Sequence, residues 1–250
     1  MAHKFTFNYS QNFDSTKRLK KNIRFVVYHY TGMKSEKDAI NRLIKPKHKV
    51  SAHFFIKFNG DIICMVPERY IAWHAGKSNW KNFNMINKNS IGIEISNQGH
   101  NFKYSEFNSK QVKSIIELSK YLKKKYNIKK NCFLGHSDIA PDRKIDPGEK
   151  FPWEKLSKNK IGIWPNLKKK TLISLRGKKL TDKEKLLFFK KLSQFGYMNS
   201  NNYLKNFNLF KKKLCKVFQM RFRQELVNGK VDKECLIILK KLLFSKKINS

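Results

Sequence analysis

Short apolar bursts separated by polar punctuation run through the first 160 residues, and their period changes from one burst to the next. From Ile23, "IRFVVYHYT" is a β-branched and aromatic run of strand length, which reads as a buried strand. "SEKDAINRLI" follows, with Ser35 in N-cap position and Ala39, Ile40, Leu43 and Ile44 along one helical face. In "SAHFFIKFNGDIICMVP" two apolar runs flank Asn59-Gly60, a pair suited to a two-residue hairpin turn with positive φ at both positions. "SIGIEIS", Ser90 to Ser96, alternates: Ile91, Ile93 and Ile95 share one face, and Gly92, Glu94 and Ser96 the other. From Ser105 the spacing turns helical, with Val112, Ile115, Ile116, Ser119, Leu122 and Tyr126 on one side of a long amphipathic helix. "NCFLGHS" is again a strand, and it delivers His136 at its end. Strands interleaved with helices predict an α/β fold, a central mixed β-sheet flanked by helices.

Between about Ser157 and Leu180 the pattern weakens into Lys, Gly and Asn, and a helical unit then begins. "TDKE" at Thr181–Glu184 has capping-box form, with Leu186, Leu187, Phe189 and Leu192 as the expected apolar stripe. A second helix covers roughly Tyr203 to Phe222, and a third starts at Asp232 with Ile237, Ile238 and Leu242 inward. The expected organisation is a first domain over 1–160, a linker or strap over 161–180, and a small three-helix bundle over 181–250.

At 40% hydrophobic, with 20 Phe, the chain of 250 residues can build a real core, which excludes the disordered class. No apolar run reaches the length of a membrane-spanning helix. Cys64, Cys132, Cys215 and Cys235 are scattered without a CxxC, so they read as buried thiols rather than a disulfide framework. The start, "MAHKFTFNYS", lacks the apolar segment of a secretory signal, which predicts a cytoplasmic protein or a trimmed mature form.

The net charge is +37, and it is unevenly spread. Residues 1–156 hold 30 Lys and Arg against 13 Asp and Glu, whereas residues 157–250 hold 25 against 5. So basic a chain invites a nucleic-acid reading. The excess is mostly Lys, accompanies a richness in Asn and Ile, and comes with no nucleic-acid motif, so it reads equally as compositional drift on solvent faces.

Candidate chemistry gathers in the first 160 residues. His29 ends one strand and Glu94 lies inside another, while "GHSDIAPDRKIDPG" sets His136, Asp138, Asp142, Arg143, Lys144 and Asp146 between glycines and prolines. A catalytic zinc takes about three protein ligands, commonly two His and a carboxylate, and keeps one position open. Taken singly, a strand-end His packs and an Asp-rich loop is solvated. A Glu inside an apolar strand is harder to set aside, because a buried carboxylate is costly without a partner. Residue type leaves open which of the three aspartates would be a ligand.

The segments "VVYHYT", "AHFFIKFNGDI", "WHAG", "SIGIEISNQG" and "GHSDIAPDRKIDPG", in that order, resemble the zinc-dependent N-acetylmuramoyl-L-alanine amidases of the type-2 (AmpD/AmiD-like) family over roughly residues 20–156. The resemblance implies one zinc ion held by His29, His136 and Asp146, where some relatives have a cysteine as third ligand. It implies Glu94 as the catalytic carboxylate and Lys144 as the group that stabilises the oxyanion. The bond cut would join the lactyl group of N-acetylmuramic acid to L-alanine of the stem peptide, in peptidoglycan or (anhydro-)muropeptides.

Other residues take lesser parts. Trp73 and His74 of "AWHAG" are expected to line the substrate groove, Arg143 to pair with a stem-peptide carboxylate, and Asn97 to hold the loop after Glu94 on the substrate side. His53 reads as packing behind the site, Asp138 and Asp142 as loop-shaping residues, and His3, His48 and His100 receive no role. "FFKKLSQFGY", "CKVFQMRF" and "GKVDKECLIILKKL" resemble the three-helix peptidoglycan-binding domain of cell-wall hydrolases, with Val217 where Ala is usual; a bundle that only braces the first domain is the alternative. A wall-binding tail points to the periplasm or cell envelope, against the cytoplasm favoured by the start of the chain. A non-catalytic muropeptide receptor and a basic nucleic-acid-binding protein stand as rival functions. The complete set of ligands, Glu94 and Lys144 favours the enzyme.

Overall fold

The computed structural model describes residues 5–197 and 207–248. Its strands are β1 (Thr6–Phe7), β2 (Phe13–Asp14), β3 (Phe25–Tyr30), β4 (Phe54–Ile56), β5 (Ile62–Cys64), β6 (Ile71–Ala72), β7 (Asn79–Trp80), β8 (Phe83–Asn84), β9 (Ser90–Ile95) and β10 (Phe133–Gly135). Its α-helices are α1 (Glu36–Ile44), α2 (Ser109–Tyr126), α3 (His136–Ile139), α4 (Trp153–Lys158), α5 (Lys169–Leu175), α6 (Asp182–Phe195), α7 (Phe207–Phe222) and α8 (Lys233–Ile248).

The main sheet runs β1-β5-β4-β9-β3-β10. β4, β9, β3 and β10 are mutually parallel, while β5 is antiparallel to β4 and carries β1 alongside it. This is the mixed sheet flanked by helices that the sequence predicts. In β3 and β9 the pleat sorts side chains cleanly. Val26 and Tyr28 sit in register with Ile91 and Ile93, and this face packs against Val112, Ile115, Leu118 and Leu122 of α2. Phe25 and Val27 face the other way, into a separate cluster, and His29 follows them by strand alternation.

Local signals explain the element ends. Ser35 caps α1 by accepting the N–H of Asp38 at 3.2 Å. α2 begins at Ser109 rather than near Ser105, because Asn108 and Gln111 form a reciprocal capping box there. The β4–β5 hairpin departs from the expected two-residue turn. Gly60 N–H bonds Lys57 O at 3.0 Å and Lys57 N–H bonds Asp61 O at 2.9 Å, closing a three-residue loop in which only Gly60 has positive φ. Asn59 stays on the negative side, its side-chain oxygen taking the Asp61 N–H, so the turn uses the glycine bulge rather than a left-handed pair.

The expected linker over 161–180 contains α5, and its Arg176 forms bonds of 2.8 Å to Glu234 and 3.0 Å to Glu225. α6, α7 and α8 then lie on the sheet face opposite α2. Phe188, Leu192, Phe218 and Leu239 share one apolar cluster with Phe25, Val27 and Leu134 of the sheet and with Trp80. The stripe of α6 is rotated from its expected phase: Phe188, Leu192 and Phe195 are buried, whereas Leu186 is 67% exposed. Aromatic volume decides this, since the three buried positions hold two Phe that fill the space beside the sheet. In α8 Ile238 and Leu242 are buried as expected, with Ile237 only half-buried. The part of the expected second helix before Phe207 lies outside the described residues.

Candidate metal centre and catalytic carboxylate

Three parallel strands deliver the site at their carboxyl ends, where open α/β sheets place their ligands. His29 is the penultimate residue of β3, and its register partner in β9 is Glu94. On the other flank β10 ends at Gly135, and His136 opens the one-turn helix α3. The loop then returns to α3, with the N–H of Ser137 bonded to the carbonyl of Asp146 at 2.8 Å. One backbone bond thus ties Asp146 to the residue after His136, and so holds together the two parts of the loop that meet His29.

His29 Nδ1 lies 2.9 Å from His136 Nδ1, and each nitrogen is 3.1 Å from Asp146 Oδ2. The hydrogen-bond network assigns the protons. Ser90 Oγ donates to Ile86 O at 2.7 Å, so it accepts from His74 Nε2 at 3.0 Å. His74 Nδ1 then accepts from His29 Nε2 at 3.1 Å, which leaves His29 Nδ1 without a proton. Likewise His136 Nε2 is turned to Ala75 O at 3.3 Å, leaving its Nδ1 bare. Two bare imidazole nitrogens and a carboxylate oxygen therefore converge with no proton between them. A cation relieves that repulsion, and ligand atoms about 3.3 Å apart are what tetrahedral bonds of 2.0–2.1 Å require. The trio is the one group among the described residues whose donor atoms are gathered closely enough to hold a metal.

Burial and the neighbouring His136 lower His29 to about 4, so it stays neutral and able to ligate. Burial alone would raise Asp146, but once a proton enters the trio the charge and hydrogen bonds of His136 and His29 override it and hold the carboxyl well below the usual range. Glu94 moves the other way, pushed up to about 8 by burial and by the negative charge of Asp146, with Lys144 opposing. Two carboxyls in one site are thus pushed in opposite directions.

His29, Glu94, His136, Lys144 and Asp146 line a cleft of about 500 Å³, shared with Tyr30, Arg42, Trp73 and Arg143. A cleft of about 570 Å³ between Phe7, Tyr70 and Tyr121 shares no residue with it and holds no ligand cluster, so the chemistry belongs to the smaller one. Trp73 is on the cleft wall, its indole N–H bonded to Asp14 at 2.8 Å. His74 borders the cleft, but both ring nitrogens are committed, to His29 and Ser90, and none is left for substrate. Asn97 is not among the residues that line the cleft: its side chain donates to Ser105 O and accepts from Gly99 N–H, and so holds the loop after Glu94. Arg143 is at the rim, with one nitrogen on the carbonyls of Ala75 and Lys77. His53 is fully buried and accepts the N–H of Gly92 at 3.0 Å. His100, given no role from sequence, braces Tyr30 and Glu149 at 2.9 and 3.0 Å. His3 lies outside the described residues.

Sequence reasoning passed over Ser90 and the bracing role of His74. Gly92 was the available signal. It sits in mid-strand on the face of Glu94, and a Cβ built there would fall on the ring of His74. A glycine inside a strand marks such a close approach.

No helix among the described residues is long and apolar enough to cross a membrane. Residues 19–149 match the model of the N-acetylmuramoyl-L-alanine amidase family. Over 233 residues the chain is 33% identical to the N-acetylmuramoyl-L-alanine amidase AmiD of Escherichia coli, covering 88% of this chain and 82% of that protein. It is 43% identical over 108 residues to the 1,6-anhydro-N-acetylmuramyl-L-alanine amidase AmpD of Haemophilus influenzae, 43% of this chain and 56% of that one. Among solved structures it superposes on E. coli AmiD in complex with anhydro-N-acetylmuramic acid-L-Ala-D-gamma-Glu-L-Lys, with a TM-score of 0.77 at 30% identity over 95% of this chain and 93% of the other. AmpDh3 of Pseudomonas aeruginosa, in complex with anhydromuramic pentapeptide, gives 0.78 at 29% identity over 94% and 97%. With the family model covering more than half of its length, and a relative aligned along most of the rest, the chain belongs to the N-acetylmuramoyl-L-alanine amidase family.

Proposed function

We propose that this protein hydrolyses the amide between N-acetylmuramic acid and L-alanine in muropeptides, using one zinc ion held by His29, His136 and Asp146. The observation that carries this reading is the unprotonated convergence of those three side chains beside Glu94. The relatives support the substrate class, since two of them are seen with anhydromuropeptides. Zinc bound to the trio would polarise the scissile carbonyl and acidify the attacking water.

The chain's own groups do the rest. Glu94, in register with His29 on the cleft wall, is placed to accept the proton of an attacking water and to return it to the leaving amine of L-alanine. Lys144 on the cleft wall supplies a positive donor to the oxyanion of the tetrahedral intermediate. Trp73 and Arg143 flank the opening, an apolar wall and a cation suited to a sugar ring and a stem-peptide carboxylate. Incubation with a soluble anhydromuropeptide, with and without chelator, tests the reading by mass spectrometry. Release of the free stem peptide only from metal-loaded protein is expected, and an intact substrate under both conditions would refute it.

A further inference from the structure

His136 heads a helix of a single turn, Ser137 to Ile139 completing it. A helix that short does not hold itself. Asp138, two residues on, fixes it. This carboxylate is 1% exposed, accepts the N–H of Gly135 at 2.7 Å and the hydroxyl of Tyr197 at 2.5 Å, and forms an ion pair with Arg221. Arg221 in turn donates to the carbonyl of Phe133 in β10 at 2.8 Å and lies over the ring of Trp153, 4.5 Å from its centroid. The pair therefore spans the strand before His136 and the turn that carries it.

Both donors come from the C-terminal helical unit. Tyr197 follows α6 and stacks edge-on against Trp80 at 5.0 Å, and Arg221 belongs to α7. A further tie runs from Lys213 of α7 to the carbonyl of Asp142, in the loop that returns Asp146. An ion pair so buried contributes little net stability, because desolvation offsets its attraction. Its geometric effect is the greater one: α3 has a single seat.

We propose that Tyr197 and Arg221 are positioning residues for the metal centre, acting through Asp138 on the orientation of His136. The C-terminal unit is thus part of the ligand scaffold, a role that deepens the zinc reading above and rests on it. Partners bonded directly to a ligand are worth roughly 10–100-fold in metal affinity, and residues acting one contact further out belong at the lower end of that range.

The test is the zinc affinity of the full chain, read by competition with a chromophoric chelator, beside the thermal midpoint of the metal-free protein. Tyr197→Phe removes one donor to Asp138 and keeps the ring on Trp80. Its zinc affinity should drop about tenfold, while the metal-free midpoint moves by no more than about 4 °C. Arg221→Lys, which keeps the charge and cannot bridge Asp138 and Phe133 together, should lose affinity as well. Wild-type affinity in both variants, at whatever midpoint, would overturn the proposal and leave a brace alone. A wild-type chain that takes up no zinc would sink the metal reading together with this one, and the wild-type arm identifies that failure.

Discussion

His29 gives its Nε2 proton to Nδ1 of His74, 3.1 Å away, and this bond bares the nitrogen that faces His136 and Asp146. The order continues through Ser90 to the carbonyl of Ile86, so a backbone oxygen three hydrogen bonds back selects the tautomer of His29. His74→Ala should therefore weaken zinc binding about tenfold or more while leaving the three ligands in place. Ser90→Ala should have a smaller effect in the same direction. Chelator competition on both variants measures this, and unchanged affinity in His74→Ala would remove the relay from the account.

Gly92 should be intolerant of even one carbon. Alanine there would push on the imidazole of His74, with an overpacking cost of about 1–3 kcal/mol. Thermal denaturation should register the loss, and zinc affinity should fall with it, because the displaced ring is the one that orients His29.

The three aspartates of "GHSDIAPDRKIDPG" should separate into three phenotypes. Asp146→Ala should stay folded and lose stoichiometric zinc, since one of three ligand atoms is gone. Asp138→Ala should destabilise by about 3–5 kcal/mol, because it leaves Arg221 buried without its counter-charge. Asp142→Ala should be close to wild type in both respects, as the contact of this residue to Lys213 is made by its main-chain carbonyl. Metal analysis and thermal melts on the three proteins decide the assignment.

Glu94→Gln should keep zinc and lose turnover by about 10²–10⁴. Retained activity would exclude Glu94 as the proton carrier. The same variant has a pH signature in the metal-free protein. Glu94 titrates near 8 in the folded chain against an ordinary value of 4.5, so its protonated form favours folding. That contribution is complete below about pH 4.5 and is lost as the pH rises through about 8. The midpoint of wild type relative to Glu94→Gln should accordingly fall between about pH 5 and about pH 9; a flat difference would mean that Glu94 is not raised.

Much of this architecture is legible along the chain because burial on one or both faces leaves a period. The run around Val26–Tyr28 and the isoleucines of β9 announce strands, and Val112 to Tyr126 announces α2. The two-residue strands β1, β2, β6, β7 and β8 are too short to have a period at all. His29, His136, Asp146 and Glu94 are accessible through their motif, but the bonds that orient them cross from one segment to another. His74 meets His29 only because β9 offers a glycine beneath it. Arg221 was visible in retrospect: it stands three residues after Phe218 and seven after Leu214, on the buried stripe of α7. A charge on such a stripe demands a counter-charge, and nothing local to α7 identifies Asp138, 83 residues earlier, as the answer. The phase of α6 was lost for a related reason, since two adjacent pairs, Leu186-Leu187 and Phe188-Phe189, allow more than one apolar face.

The side of the sheet that carries Phe25, Val27 and Leu134 is covered by helices that come later in the chain. During synthesis the ribosome releases this apolar surface well before Phe188, Phe218 and Leu239 exist to cover it. Half a core without its lid is prone to associate with other chains. The nascent chain consequently needs shielding over that interval, and the arrival of α6, α7 and α8 ends the exposure.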